Sequence, residues 1–221
     1  MGLKISQYTP ITTLANGDLI DVSQDTGAAT YATKSINYAD LLTQLTTAIS
    51  SNATLYGLYA QTVVSATINT VGEQSIVGSG KGSLTVPAST FLRGDSYHGK
   101  IGGLINATGG GSRSEITIKI KAGATILATT GVFDLDTATN QGWECELDFT
   151  IASVGVTGSI CTNGNFCYTK DSDRKVYGYI FQDVQPIDTT ISNTLDITVE
   201  WNVLNAGDDI YSANFVVYKT Y

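Results

Sequence analysis

Apolar and polar residues alternate one by one along several stretches of the chain. The pattern is clearest in three stretches, Thr194–Val203, Glu115–Lys121 and Glu144–Ile151. Successive side chains of a strand point to opposite faces of a sheet, so each stretch predicts a strand with one apolar face and one polar face. In the first stretch the apolar positions are Leu195, Ile197, Val199, Trp201 and Val203.

At least eight such strands are separated by turns rich in Gly, Asn and Asp, and there is no repeated pattern of a strand followed by an amphipathic helix. A parallel α/β sheet is therefore excluded, because its strands alternate with helices. The pattern predicts an all-β fold, an antiparallel sandwich of two sheets. Among sandwiches we favour a jelly-roll-like arrangement.

One segment, Asn37–Ser50, has apolar residues that recur with a helical period. Its stripe is formed by Tyr38, Leu42, Leu45 and Ile49, spaced by four, three and four residues. Asn37 can cap the first turn, and the Asp40 carboxylate suits the positive end of the helix dipole. So short a helix is marginal alone in water. We expect its stripe to be covered, either by its own β-domain or by copies of itself about a symmetry axis.

The residues before this helix contain two short apolar pieces separated by turn residues. Asp18–Val22 predicts one strand and Ala28–Thr33 its returning partner. An isolated hairpin of this size is marginal, so the arm needs a partner surface. The predicted organisation is an N-terminal arm over 1–36, a short helix over 37–52 and a β-sandwich over 53–221.

The composition excludes some partners. The chain has 221 residues and a formal net charge of −8, with no cluster of Lys or Arg. Nucleic-acid binding depends on such cations, so we expect no nucleic-acid partner. No apolar run approaches the roughly 20 residues that span a bilayer, so we expect no membrane insertion. The first residues lack the apolar centre of a secretion signal, which predicts folding in a cytoplasm.

The three cysteines receive different interpretations. Cys145 lies at an alternate position of a predicted strand, which predicts a buried thiol in the core. Cys161 and Cys167 flank Thr162–Phe166, which is typical of a hairpin loop and would bring the two thiols opposite each other. In a cytoplasm we favour a reduced pair over a disulfide. No second pair is present to complete a four-cysteine zinc site.

Few residues indicate chemistry. The single histidine, His98, is predicted on the polar face of a strand, and one histidine cannot build a histidine metal cage. Asp134–Gly142 offers oxygen ligands at alternating positions but lacks the closing Glu of a calcium loop, so we favour a polar turn. Glu144 and Glu146 alternate with core residues, which predicts the solvated face of a strand rather than a catalytic pair. We therefore expect no enzyme activity, cofactor or metal.

Tyrosines are abundant and are the most suggestive candidates for contacts. Several are predicted in loops or on polar strand faces: Tyr97, Tyr168, Tyr177 and Tyr211. An exposed tyrosine supplies a large contact area at low entropy cost, which suits recognition of sugars or proteins. For any one of them we favour the other interpretation, in which most of these rings close the ends of the sandwich.

The run ISQYTPITTLANGDLIDVSQDTGAATYATKSINYADLL resembles the opening modules of bacteriophage tail-fibre, head-fibre and other virion appendage proteins. The segments SLTVPASTFLRGDSYHGKIGG, WECELDFTI and DTTISNTLDITVEWNVLNAGDDIYSANFVVYKTY resemble the C-terminal β-domain of viral fibres. The resemblance implies a homotrimer with its arm fixed to other virion proteins and its β-domain facing a host-surface glycan or protein. Tyr38, Leu42, Leu45 and Ile49 would then face the threefold axis. The chain departs from the family in having no long coiled-coil or β-helical shaft.

The hypothesis from sequence is therefore a non-enzymatic virion fibre or spike subunit that binds a host receptor. Two alternatives stay open. One is a capsid or decoration protein without receptor binding, and the other is a carbohydrate-binding, lectin-like module or carbohydrate-active enzyme of a cell.

Overall fold

The computed structural model describes residues 19–25, 31–43, 57–109, 113–172 and 176–221. The chain divides into two compact units, Met1–Ala53 and Thr54–Tyr221.

The first unit contains a hairpin followed directly by a helix. Strands β1 (Leu19–Asp25) and β2 (Tyr31–Asn37) pair antiparallel, and residues 38–43 are helical (α1). The predicted cap is confirmed: the backbone N–H of Asp40 donates to Asn37 Oδ1 at 2.7 Å. Asn37 Nδ2 in turn donates to the Asp40 carboxylate at 2.6 Å. This exchange satisfies a helix N–H that has no partner within the helix.

The second unit is an antiparallel β-sandwich. Its strands are β3 (Gly57–Gln61), β4 (Gly72–Ser75), β5 (Gly80–Gly82), β6 (Thr85–Val86), β7 (Ser96–Ala107), β8 (Ser114–Ala122), β9 (Thr125–Thr129), β10 (Phe133–Leu135), β11 (Ala138–Ser153), β12 (Gly158–Thr169), β13 (Val176–Ile187), β14 (Asn193–Val203) and β15 (Asp209–Lys219). A seven-stranded sheet has the order β13-β12-β11-β7-β15-β3-β5. A six-stranded sheet has the order β10-β8-β14-β4, with β6 beside β14 and β9 beside β8. The predicted all-β sandwich is confirmed.

The chain crosses repeatedly between the two sheets. Strand β7 pairs with β15 in one sheet, while their chain neighbours β8 and β14 pair in the other. The chain therefore passes from one sheet to the other between β7 and β8, and again between β14 and β15. The finer jelly-roll assignment stays a prediction.

The core lies between the inner faces of the sheets, and the predicted alternation is confirmed there. The buried side chains include Ile116, Ile118, Ile120, Cys145, Leu147, Phe149, Ile151, Leu195, Ile197, Val199 and Trp201. Burying each large apolar side chain contributes about 1.5–3 kcal/mol. The ring of Phe133 on β10 lies 5.4 Å from that of Phe166 on β12, which joins the two sheets. Burial raises the pKa of the Cys145 thiol to about 12.

The predicted loop at Thr162–Phe166 is wrong, because β12 runs unbroken through it and pairs with β11 and β13. Gly164 faces inward, where a Cβ would lie only 2.1 Å from the Phe181 ring. This glycine therefore makes room for an aromatic ring instead of turning the chain. Cys161 and Cys167 share one face of one strand, about 20 Å apart at about 3.3 Å per residue, so they cannot form a disulfide with each other.

Candidate binding surface

Two shallow depressions follow one another along β11 and β12 on the outer face of the seven-stranded sheet, and together they form one surface. We call it the outer groove. It is lined by Gly142, Glu144, Glu146, Asp148, Asn163, Asn165, Cys167 and Ile180. From Gly142 to Thr150, the even-numbered residues of β11 point outward because the odd-numbered ones fill the core. The prediction that Glu144 and Glu146 form a solvated strand face is thereby confirmed.

One lysine forms ion pairs with two of the three carboxylates in the outer groove. Lys100 on β7 donates to Glu144 at 2.8 Å and to Glu146 at 3.0 Å. These hydrogen bonds hold the pKa of Lys100 above its usual range, and the lysine lowers the pKa of Glu146. All three side chains are nearly half exposed, so water screens the pairs and their contribution to stability is small.

His98 is the cationic partner of the third carboxylate when it is protonated. Its Nδ1 lies 2.8 Å from Asp148 Oδ1, and its ring centre is 5.3 Å from that of Tyr218. The prediction that His98 stands on the polar face of a strand is confirmed. The ring belongs to the border of the outer groove and makes no cluster with other metal-ligating residues among those described.

The amide side chains beside these carboxylates are exposed and free. Within the described ranges, no side-chain hydrogen bond to protein is made by Asn163, Asn165 or Gln182. Each amide carries a two-proton donor and an acceptor, so each can bind a hydroxyl or a peptide group. Ile180 adds an apolar surface and is 84% exposed. The outer groove thus combines carboxylates, unpaired amides and an apolar side chain on rigid strands.

The prediction of a loop or a polar strand face is wrong for two of the four tyrosines. Tyr97 and Tyr168 are each only 3% exposed. Tyr97 stacks on Phe149 at 4.8 Å, and burial raises its pKa well above the usual value. The Tyr168 hydroxyl accepts the Asp136 backbone N–H at 2.9 Å. Both rings occupy inward positions of their strands, so they belong to the core.

The other two tyrosines are half-buried. Tyr177 packs against the core beneath Lys170, whose Nζ lies 3.5 Å from the ring centre, and Tyr211 lies on β15. The more exposed aromatic rings are instead Tyr179, Tyr218 and Tyr221. Alternation with the buried Phe215 and Val217 would have placed Tyr218 on the outer face.

The predicted polar turn at Asp134–Gly142 is shorter than expected, because β10 ends at Leu135 and β11 begins at Ala138. Its two acids are paired: Asp134 with Arg113 at 3.3 Å and Asp136 with Lys170 at 3.0 Å. No group of three or more His, Cys, Asp or Glu is placed to hold a metal ion in the described part of the chain.

The proposed trimer residues lie only partly within the description. Tyr38 is half-buried and Leu42 is 46% exposed on α1, while Leu45 and Ile49 lie outside the described residues. The trimer interface stays a prediction. Among the residues described, no helix is long and apolar enough to cross a membrane.

No protein-family model matches the chain, and no curated protein matches it either.

Proposed function

We propose that the chain is a subunit of a virion appendage, of tail-fibre, head-fibre or spike type, which binds a host-surface glycan or protein through the outer groove. The observation that carries the proposal is the set of unpaired amides beside half-exposed carboxylates. These groups can hydrogen-bond to the hydroxyls of a glycan or to the backbone of a protein. Rigid strands hold them in place before binding, which reduces the entropy cost of association.

The small first unit supports the proposal of a virion appendage, because its hairpin can attach the chain to other virion proteins. A hairpin of two strands is marginal by itself, so a role in attachment to other virion proteins gives it a partner surface. Association of three chains through Tyr38, Leu42, Leu45 and Ile49 would let weak receptor contacts act together, because linked sites gain avidity. The protein would be made in the host cytoplasm and carried on the virion.

The experiment measures binding of the labelled full chain to a printed array of bacterial surface polysaccharides and to intact bacterial cells. We expect binding by the wild type and at least about tenfold weaker binding by the double variant Asn163→Ala/Asn165→Ala, because it loses two hydrogen-bonding amides. Asn214→Ala is the matched control, since Asn214 is an exposed amide of β15 on the same sheet.

Two results would contradict the proposal. Absence of binding to every polysaccharide and every cell would favour a decoration protein without a receptor. Equal binding by the double variant and the wild type would move the contact away from the outer groove. Release of reducing sugar from a bound polysaccharide would instead indicate a carbohydrate-active enzyme.

A further inference from the structure

Strand β13 lies at one edge of the seven-stranded sheet. The direction of its backbone groups follows from the register. Ile151 exchanges hydrogen bonds with the segment leading into β7, donating to Asp95 at 2.9 Å and accepting from Gly94 at 2.8 Å. The backbone N–H and C=O groups of successive residues point to opposite sides of a strand. The registers of the β11–β12 and β12–β13 pairs therefore fix the direction of the backbone groups along β13. The backbone groups of the odd-numbered residues of β13 point towards β12, and those of the even-numbered residues point away from the sheet.

The second half of this edge is closed. The outward N–H of Val184 donates to the Asp183 carboxylate of its own chain at 2.8 Å. The next outward position is Pro186, which has no N–H. Gln185 holds the carboxylate in place with a hydrogen bond of 2.6 Å. A charge and a proline are devices by which proteins prevent pairing at a sheet edge.

The first half of the edge, Gly178–Gln182, is open. Its outward backbone groups belong to Gly178, Ile180 and Gln182, and the described residues provide no hydrogen-bonding partner for them. The segment carries no charge, and Ile180 and Tyr179 are 84% and 39% exposed. An uncharged edge with free N–H and C=O groups is a template for another strand.

We propose that a second copy of the chain pairs with this segment, antiparallel and about a twofold axis at Ile180. The two Ile180 residues then face each other, and Gly178 of each copy lies opposite Gln182 of the other. This arrangement satisfies the free backbone groups of both copies and places no like charges opposite each other within the segment. Asp183 lies opposite Tyr177, just beyond the pairing.

Pairing between two copies of the chain is also compatible with their charge. Each chain has a net charge of −8, so two chains approach most easily at an uncharged edge. The pairing is short, which makes it weak and dependent on concentration. Salt screens the repulsion between the chains, so pairing strengthens as the ionic strength rises. This pairing joins chains two at a time and is independent of any threefold contact of α1.

The test is sedimentation of the full chain over a range of concentrations. We expect the wild type to reach twice the mass of Ile180→Pro, which lacks the outward N–H but keeps the bonds to β12. Val184→Pro is the matched control and keeps the wild-type mass, because Asp183 already occupies that N–H. Ile180→Lys leaves the backbone intact, places two lysines opposite each other and stays at the lower mass.

Either of two outcomes overturns the proposal. One is an equal mass for the wild type and Ile180→Pro at every concentration. The other is an equal loss of mass in Val184→Pro, which would assign the effect to proline itself.

Discussion

The outer faces of the two sheets use charge in different ways. On the six-stranded sheet, Glu73 accepts hydrogen bonds from Lys119 at 2.7 Å and Lys121 at 2.5 Å, and Lys119 also donates to Glu200 at 2.7 Å. On the seven-stranded sheet the two ion pairs of Lys100 are more exposed, and three neighbouring amides lack a protein partner among the residues described. On the first face, these lysines and carboxylates satisfy one another. The second leaves polar groups available for a ligand.

The largest loss of stability is expected from a change on the outer face of the six-stranded sheet. Glu73→Gln removes the carboxylate shared by two lysines, and we expect a loss of about 2 kcal/mol in the free energy of unfolding. Urea unfolding followed by tryptophan fluorescence measures it, because Trp143 and Trp201 both lie in the second unit. The control Glu115→Gln removes an acid from the same sheet and should cost less than about 0.5 kcal/mol. Equal losses in both variants would contradict a special role for Glu73.

The same carboxylate predicts a dependence on pH. Hydrogen bonds from Lys119 and Lys121 lower the pKa of Glu73 from 4.5 to about 2. A carboxyl with a lowered folded-state pKa stabilises the fold above pH 4.5, and this stability is lost as the pH falls towards 2. We expect the stability of the wild type to fall more steeply than that of Glu73→Gln across this window. Urea titrations at several pH values measure this stability. If the unfolding free energies of the two proteins fall in parallel with pH, the pH dependence does not come from Glu73.

The smallest loss of stability is expected from a change on the outer face of the seven-stranded sheet. Lys100→Met removes the cation between Glu144 and Glu146, and we expect a change below about 1 kcal/mol because these pairs are half exposed. The same urea titration measures it, with Lys119→Met as the matched change on the opposite sheet. A larger loss for Lys100→Met than for Lys119→Met would reverse the comparison.

Part of this architecture is predictable from the sequence. Alternation along Glu144–Ile151 and Thr194–Val203 predicts both the strands and their inward faces, because the period of two is a local property. The Asn37 cap is predictable for the same reason, since its partner Asp40 is three residues away.

Other features depend on which strands become neighbours. Asn163, Gly164 and Asn165 have the composition of a turn, yet pairing on both sides of β12 keeps them extended. The sequence does not reveal the outer groove for this reason, because two of its lining residues, Asn163 and Asn165, lie in that segment. The open edge at Ile180 is equally hidden, since edge position depends on the strand order of the whole sheet.

The central claim is that the outer face of the seven-stranded sheet is the binding surface and that of the six-stranded sheet is structural. Binding of the labelled full chain to intact bacterial cells tests it, with Asn163→Ala/Asn165→Ala compared against Glu73→Gln at a temperature where all proteins are folded. We predict at least about tenfold weaker binding by the double variant, with wild-type binding by Glu73→Gln. Wild-type binding by the double variant, with loss of binding in Glu73→Gln, would contradict the account.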